Sequence, residues 1–207
     1  MPIVVSNKHF NTEMSLWEIT ESVEELSFLL ASNFDQEKVS SIKFEEKKQQ
    51  YLAAQLLLLK TCGTSLIEYD QNGKPFLINR SGHISLSHSK NLVGLVFDKT
   101  QSTGIDVQYK TSKILKIMDR FVNKDELEFI NKDYSNLLDY LHYIWCCKEA
   151  IFKVYGTQLA FKDQIFIQSF NPAKDKNVFA IVKKDNQMIQ HKLSIDQLEN
   201  AYFAYVL

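Results

Sequence analysis

Long apolar runs are missing from this sequence. The longest unbroken aliphatic stretch is Leu56–Leu59, far short of the ~20 apolar residues that a membrane-spanning helix needs, so no membrane association is expected. The opening residues, MPIVVSNKHF, lack a basic stretch followed by an apolar core, and no secretory signal is expected from them. Cysteine is scarce: there are three, of which Cys146 and Cys147 are adjacent. That set cannot build a disulfide framework, and no C-x-x-C spacing suggests zinc. A reduced, cytoplasmic protein is the expectation. With three prolines and six glycines, there is no linker of the Pro- or Gly-rich kind. Excess charge of one sign is also absent, because 24 Lys and Arg meet 25 Asp and Glu for a net charge of −1. A global polycation of the kind that coats nucleic acid is thereby excluded, and no nucleic-acid partner is expected.

What is present has the composition of an ordinary folded protein, 45% hydrophobic and 24% charged over 207 residues. That length allows one domain or two lobes of roughly 100 residues. Short strands are expected at Ile3–Val5 and Met14–Thr20. A helix follows, with Ser22 and Glu25 in the spacing of a capping box and Val23, Leu26, Leu29 and Leu30 on one face. A longer helix is expected from about Lys43 to Lys60, with Phe44, Tyr51, Leu52, Leu56 and Leu59 as its buried stripe and Gly63 as its C-terminal stop. The pair Asn72-Gly73 signals a hairpin between Leu66–Tyr69 and Lys74–Ile78. Further strands are expected at His83–Ser87, Leu92–Phe97 and Thr103–Tyr109, with Asp98–Ser102 as the turn between the last two. The pattern is then helical for about 45 residues, ending at Gly156, and four short β-like runs close the chain: Gln164–Ser169, Val178–Val182, Gln190–Ile195 and Ala201–Val206. Helices and antiparallel strands thus recur in two mixed blocks, 1–105 and 106–207, which predicts an α+β protein of two lobes.

Three local features carry chemistry. In Gly104-Ile105-Asp106-Val107-Gln108, strand alternation puts Asp106 and Gln108 on one face, and a carboxylate on an otherwise apolar strand needs a partner unless it faces water at an edge. In Trp145-Cys146-Cys147-Lys148-Glu149-Ala150-Ile151-Phe152-Lys153, helical spacing puts Glu149 and Lys153 one turn apart beside Trp145. Read alone, that pair is an ordinary surface Glu–Lys ion pair. In Ser85-Leu86-Ser87-His88-Ser89, preceded by Gly73-Lys74-Pro75-Phe76, hydroxyls and an imidazole can donate to phosphate oxygens, or simply form a Ser-rich turn. Taken together, two carboxylates from separate elements make a hard oxygen site suited to Mg²⁺. Lys74, Lys153 and His88 then supply donors for phosphates, which points to metal-assisted phosphoryl chemistry.

The order of these motifs resembles that of the 4′-phosphopantetheinyl transferase superfamily, in its two-lobed, Sfp-like branch. Gly-Ile-Asp-Val-Gln at 104–108 and Trp-x-x-Lys-Glu-Ala-x-x-Lys at 145–153 match its signature. Gly73-Lys74-Pro75 and Ser87-His88-Ser89 resemble its two upstream motifs, and Arg120-Phe121 with Glu126 resembles its Arg-Phe-x-x-x-x-Glu element. The match spans about residues 73–156.

That resemblance implies two similar, pseudo-twofold-related lobes with coenzyme A lying in the cleft between them. It implies Mg²⁺-dependent transfer of the 4′-phosphopantetheine arm of coenzyme A to a serine of an apo acyl or peptidyl carrier protein, releasing 3′,5′-ADP, as a holo-acyl-carrier-protein synthase does. Asp106, Glu149 and Gln108 would hold the metal. Lys153 would contact the pyrophosphate, and Lys74, Ser87 and His88 would hold the nucleotide end, with His88 near the 3′-phosphate. Glu126 or Glu149 would take the serine proton. A monomer is expected. Lys148 belongs to the motif without an assigned role. There are two departures: Gln108 stands where the family often has Glu, and the helix around Lys47–Gln55 carries Lys and Gln where the family is Arg-rich. The alternative is a non-catalytic coenzyme A or carrier-protein binding module, for which Gln108 is the support. A metal-dependent nuclease is disfavoured by the Glu-x-x-x-Lys spacing and the lack of a positive field.

Overall fold

The computed structural model describes residues 3–31, 33–78, 80–156 and 159–207. They divide into two compact units, 1–102 and 103–207. The chain changes unit at Thr103 because that residue is already tied to the C-terminal strand: its hydroxyl donates to Val206 O at 2.9 Å, and Val206 N donates to Gly104 O at 3.0 Å. Both units are α+β, with helices packed on antiparallel sheets. Among the described residues no helix is long and apolar enough to cross a membrane.

In the first unit, β1 (Ile3–His9), β2 (Thr12–Glu18), β5 (His83–Ser89) and β6 (Leu92–Asp98) form a sheet in the order β1-β2-β6-β5. Strand β1 runs well past the apolar Ile3–Val5. Its polar end, Asn7-Lys8-His9, is held by backbone pairing down to His9 opposite Thr12, which no side-chain pattern announces. Helix α3 (Glu45–Cys62) packs on the sheet against β2 and β6, and helices α1 (Val23–Leu30) and α2 (Gln36–Ser41) pack on α3. The Ser22–Glu25 capping box forms as expected, with Ser22 Oγ accepting from Glu25 N at 3.2 Å and Glu25 Oε2 accepting from Ser22 N at 2.8 Å. The α1 stripe is narrower than expected: Leu26 and Leu30 are buried, whereas Leu29 is 51% exposed. On α3, Leu52, Leu56, Leu57 and Leu58 join Trp17, Val93 and Leu95 in one core. Phe44, expected in that stripe, instead occupies the N-cap position and is 73% exposed. Gly63 ends α3 in the left-handed region at φ 68°, where a side chain is strained. The hairpin β3 (Ile67–Tyr69) and β4 (Pro75–Leu77) closes through Gly73, also left-handed, whose N–H donates to Asp70 O at 2.9 Å. The expected turn after β6 is built on Asp98, which accepts from Thr12 Oγ1 at 2.6 Å and from the backbone N–H of Thr100 and Gln101.

In the second unit, β7 (Ile105–Tyr109), β8 (Ile165–Ile167), β9 (Asn177–Lys184), β10 (Gln187–Leu198) and β11 (Ala201–Val206) form a sheet in the order β7-β11-β10-β9-β8. The helical stretch after Tyr109 is not continuous. Thr111 caps a 3₁₀ turn at Ser112–Lys116, and α4 (Met118–Phe121), α5 (Lys124–Lys132) and α6 (Leu137–Tyr155) follow, each interrupted by a capping residue or a turn. A short α7 (Phe161–Gln164) precedes β8. Helix α6 lies across the sheet and supplies Leu141, Ile144, Ala150 and Ile151 to a core shared with Ile165, Val182 and Tyr202.

Candidate active site

Strand β7 and helix α6 pass unusually close to one another, and Gly104 is the reason they can. A Cβ at position 104 would lie 1.9 Å from Ala150 O and 3.3 Å from Lys153 Cβ, so any side chain there would drive the two elements apart. The approach delivers Asp106, the second residue of β7, to the last two turns of α6. Lys153 Nζ donates to Asp106 Oδ1 at 3.1 Å and to Ile105 O at 2.7 Å. Glu149, one helical turn before Lys153, completes a trio. Burial first, and then the neighbouring Asp106 carboxylate, push the Glu149 pKa up to about 7, with the Lys153 ammonium acting in the opposite direction. A buried Asp106 and a half-buried Glu149 that repel one another are what a divalent cation would relieve.

Gln108 reaches the same place from one alternation along β7, but with its nitrogen: Nε2 donates to Asp106 Oδ2 at 3.0 Å. Its amide oxygen therefore faces away from Asp106, and ligation through that oxygen requires the amide to turn over. The donor set, two carboxylates plus one amide oxygen, is hard and fits Mg²⁺. Among the described residues no group of three or more His, Cys, Asp and Glu gathers, so such an ion would keep most of its positions for water and substrate oxygens.

Glu126 is not brought to that trio. It caps α5, with Oε2 accepting from Asn123 N at 2.9 Å, while Oε1 accepts from Ile167 N at 2.9 Å. Oε2 also receives Lys148 Nζ at 2.9 Å. Lys148 donates further to Phe121 O at 2.6 Å and Phe161 O at 2.9 Å. Two of the motifs therefore meet at a single ammonium: Phe121 and Glu126 of one are acceptors for the Lys of the other. Trp145 belongs to the same packing, edge-on to Phe121 with ring centroids 5.1 Å apart and 5.7 Å from Phe161.

The upstream residues gather separately, within the first unit. Ser87 and His88 line a cavity of about 290 Å³ together with Gly73, Pro75 and Lys47. Ser87 is buried and His88 exposed, on alternate faces of β5. Lys74 does not line that cavity. Its ammonium donates to Ser102 Oγ, and burial draws its pKa down against the opposing pull of Asp70. The cavity is also lined by residues that sequence reasoning places in the core or in a strand, among them Tyr51 and Tyr69. The signal was available, since Tyr51 lies one turn after Lys47 and Tyr69 pairs with Pro75 across the hairpin.

Comparison with known proteins bears on the second unit above all. The family model for the 4′-phosphopantetheinyl transferase superfamily matches residues 102–206. A Haemophilus influenzae protein, provisionally named a 4′-phosphopantetheinyl transferase, is 25% identical over 141 residues, which is 62% of this chain and 60% of that protein. The chain thus spans about 60% of the length of that relative.

Proposed function

Since the chain belongs to the 4′-phosphopantetheinyl transferase superfamily, we propose that it moves the 4′-phosphopantetheine arm of coenzyme A onto a serine of an apo acyl or peptidyl carrier protein, in a Mg²⁺-dependent reaction that releases 3′,5′-ADP. The observation that carries this reading is the convergence of Asp106, Glu149 and Lys153 at the close approach of β7 and α6. Asp106 and Glu149 hold the ion, with Gln108 available through its amide oxygen after rotation. When bound, the metal supplies charge neutralisation at the pyrophosphate.

This chain's own residues do the rest. Ser87 and His88 hold the nucleotide end, with the cavity beside β5 as its place in the first unit, and Lys74 reaches it by turning its ammonium from Ser102. Lys153 donates to a pyrophosphate oxygen and stabilises the charge that grows as the bond breaks. The serine Oγ of the carrier attacks the phosphorus that bears the pantetheine arm. A new P–O bond to serine forms, the bridging P–O bond breaks, and 3′,5′-ADP leaves with the bridging oxygen and its electron pair. Glu149 takes the serine proton as general base; its pKa of about 7 belongs to the metal-free site and falls once the ion is bound. In this reading Glu126 is a strut, because each of its oxygens already accepts from a buried donor.

The test is to mix the protein with Mg²⁺, coenzyme A and an apo carrier protein and to record the intact mass of the carrier. A gain of one phosphopantetheine is expected, with Asp106→Ala slowing it roughly 10²–10⁴-fold. Tight coenzyme A binding without any gain on either an acyl or a peptidyl carrier would favour the non-catalytic binding module instead.

A further inference from the structure

Asp106 is placed where an anion cannot stand alone. Its side chain is only 4% exposed, and a buried carboxylate without a compensating charge is strongly disfavoured. In the protein as it stands, that compensation comes from inside the chain. Lys153 Nζ lies 3.1 Å from Oδ1 and Gln108 Nε2 lies 3.0 Å from Oδ2, so a donor meets each carboxylate oxygen. The ammonium is steadied by Ile105 O at 2.7 Å. Yet the Lys153 side chain is 27% exposed, and its flexible four-carbon stem can swing toward solvent while Asp106 cannot.

We infer that Lys153 is an internal counterion that holds the cation position at Asp106, and that Mg²⁺ replaces it only when the phosphates of coenzyme A take the displaced ammonium. A bare divalent ion approaching Asp106 meets a positive charge already hydrogen-bonded to its ligand. Dislodging that charge costs Lys153 its hydrogen bond to Asp106, and the ion also competes with it for the neighbouring Glu149 carboxylate. A pyrophosphate changes the balance, because it offers the ammonium charged oxygens in place of the one it surrenders. Ion and coenzyme A therefore bind with positive coupling, and the coupling is reciprocal: each tightens the other by the same factor. This inference rests on the reading of the site as one that takes coenzyme A phosphates.

Titration calorimetry with Mg²⁺, supported by the electron paramagnetic resonance of Mn²⁺, tests it on wild type, Lys153→Met and Lys153→Arg. Each ion is titrated alone and again with saturating coenzyme A, and circular dichroism checks each fold. Wild type should bind the bare ion weakly and gain at least tenfold with coenzyme A. Lys153→Met should bind the bare ion at least tenfold more tightly than wild type and lose most of the gain, whereas Lys153→Arg should keep it. If Lys153→Met does not fold, Lys153→Gln makes the same comparison. A neutral variant that binds the bare ion no more tightly than wild type overturns the inference, as does wild type that is indifferent to coenzyme A it demonstrably binds. Failure of coenzyme A to bind with or without metal would instead defeat the transferase reading, while the bare-ion comparison still decides the exchange.

Discussion

Lys148 Nζ sits 2.9 Å from Glu126 Oε2, and neither side chain has any exposure to solvent. Burial alone pushes the carboxyl pKa up and the amine pKa down, toward two neutral groups, and the attraction between them works against both shifts. The geometry supplies what a buried pair needs. The ammonium has three acceptors and the carboxylate three donors, drawn from α4, α5 and its capping residue Asn123, α6, α7 and β8.

Removing one partner should therefore be far worse than removing both. Lys148→Met is expected to cost about 3–5 kcal/mol, because it leaves a buried carboxylate uncompensated. Lys148→Met combined with Glu126→Gln should cost clearly less than the sum of the two single changes, as contacting residues do. Urea denaturation of the three variants measures this. A Lys148→Met protein within about 1 kcal/mol of wild type would show that the pair does not hold the unit together.

Gly104→Ala asks whether the close approach of β7 and α6 matters to chemistry as well as to packing. The added methyl would sit 1.9 Å from Ala150 O, and relieving that overlap should cost about 3 kcal/mol. Carrier modification should fall further than the lost stability explains when assayed well below the melting temperature, since Asp106 moves relative to Glu149. A variant with lowered Tm but wild-type turnover would mean that the trio tolerates the shift.

How much of this was legible beforehand depends on which force fixes each element. Ser22 and Glu25, Gly63, Asn72-Gly73 and Gly156 act locally, through caps and turns, and each ends or begins an element where its sequence signature predicts. The full length of β1 is not legible because Asn7, Lys8 and His9 are held by a partner strand, and nothing in their own alternation reports that. Phe44 and Leu29 were misplaced for the converse reason: apolar periodicity says which residues could be buried, not where a neighbouring element stops covering them. Glu126 is instructive because the signal existed. Asn123 and Glu126 have the same three-residue spacing as Ser22 and Glu25, and both pairs form capping boxes. That spacing describes a helix start, whatever chemistry a carboxylate there could carry. The sequence supplies the residues of the trio at Asp106 but not their contacts, since Gly104 reveals the approach to α6 only once both backbones are in place.

The elevated Glu149 pKa has two consequences of opposite sign for the same variant. Its value in the folded protein, about 7, exceeds the ordinary 4.5, so the folded state binds that proton more tightly than the unfolded chain does. Stability from this group is present below pH 4.5 and is lost as pH rises toward 7. Glu149→Gln should thus stabilise the metal-free protein by about 1–2 kcal/mol above pH 7, after allowance for solvent screening, and leave it unchanged at pH 4. Turnover should nevertheless collapse. For wild type at limiting Mg²⁺, the rate should fall as pH drops through about 7, and excess Mg²⁺ should move the inflection to lower pH by competing with the proton. Thermal melts and rate profiles between pH 4 and 9 read both effects.

His88 can be tested by one phosphate. If it meets the 3′-phosphate, His88→Ala should weaken coenzyme A by roughly 10–100-fold while barely altering 3′-dephospho-coenzyme A, the span expected from a charge-assisted hydrogen bond of about 1.5–3 kcal/mol. Because the two ligands differ only in that group, equal weakening would assign His88 to another part of the substrate or to the framework of β5.

The meeting of two motifs at Lys148 changes what a matching sequence can be taken to mean. An Arg-Phe-x-x-x-x-Glu element and the Lys of Trp-x-x-Lys-Glu-Ala certify a scaffold: they report that α4, α5, α6 and β8 are bolted together, and they say nothing about whether a reaction runs there. On the proposed reading, a descendant that had lost activity but still had to fold would keep Phe121, Glu126, Trp145 and Lys148, and would be free to change Asp106, Glu149 and Lys153. If the proposed roles hold, the first four letters in a distant relative speak for the scaffold and the last three for the chemistry.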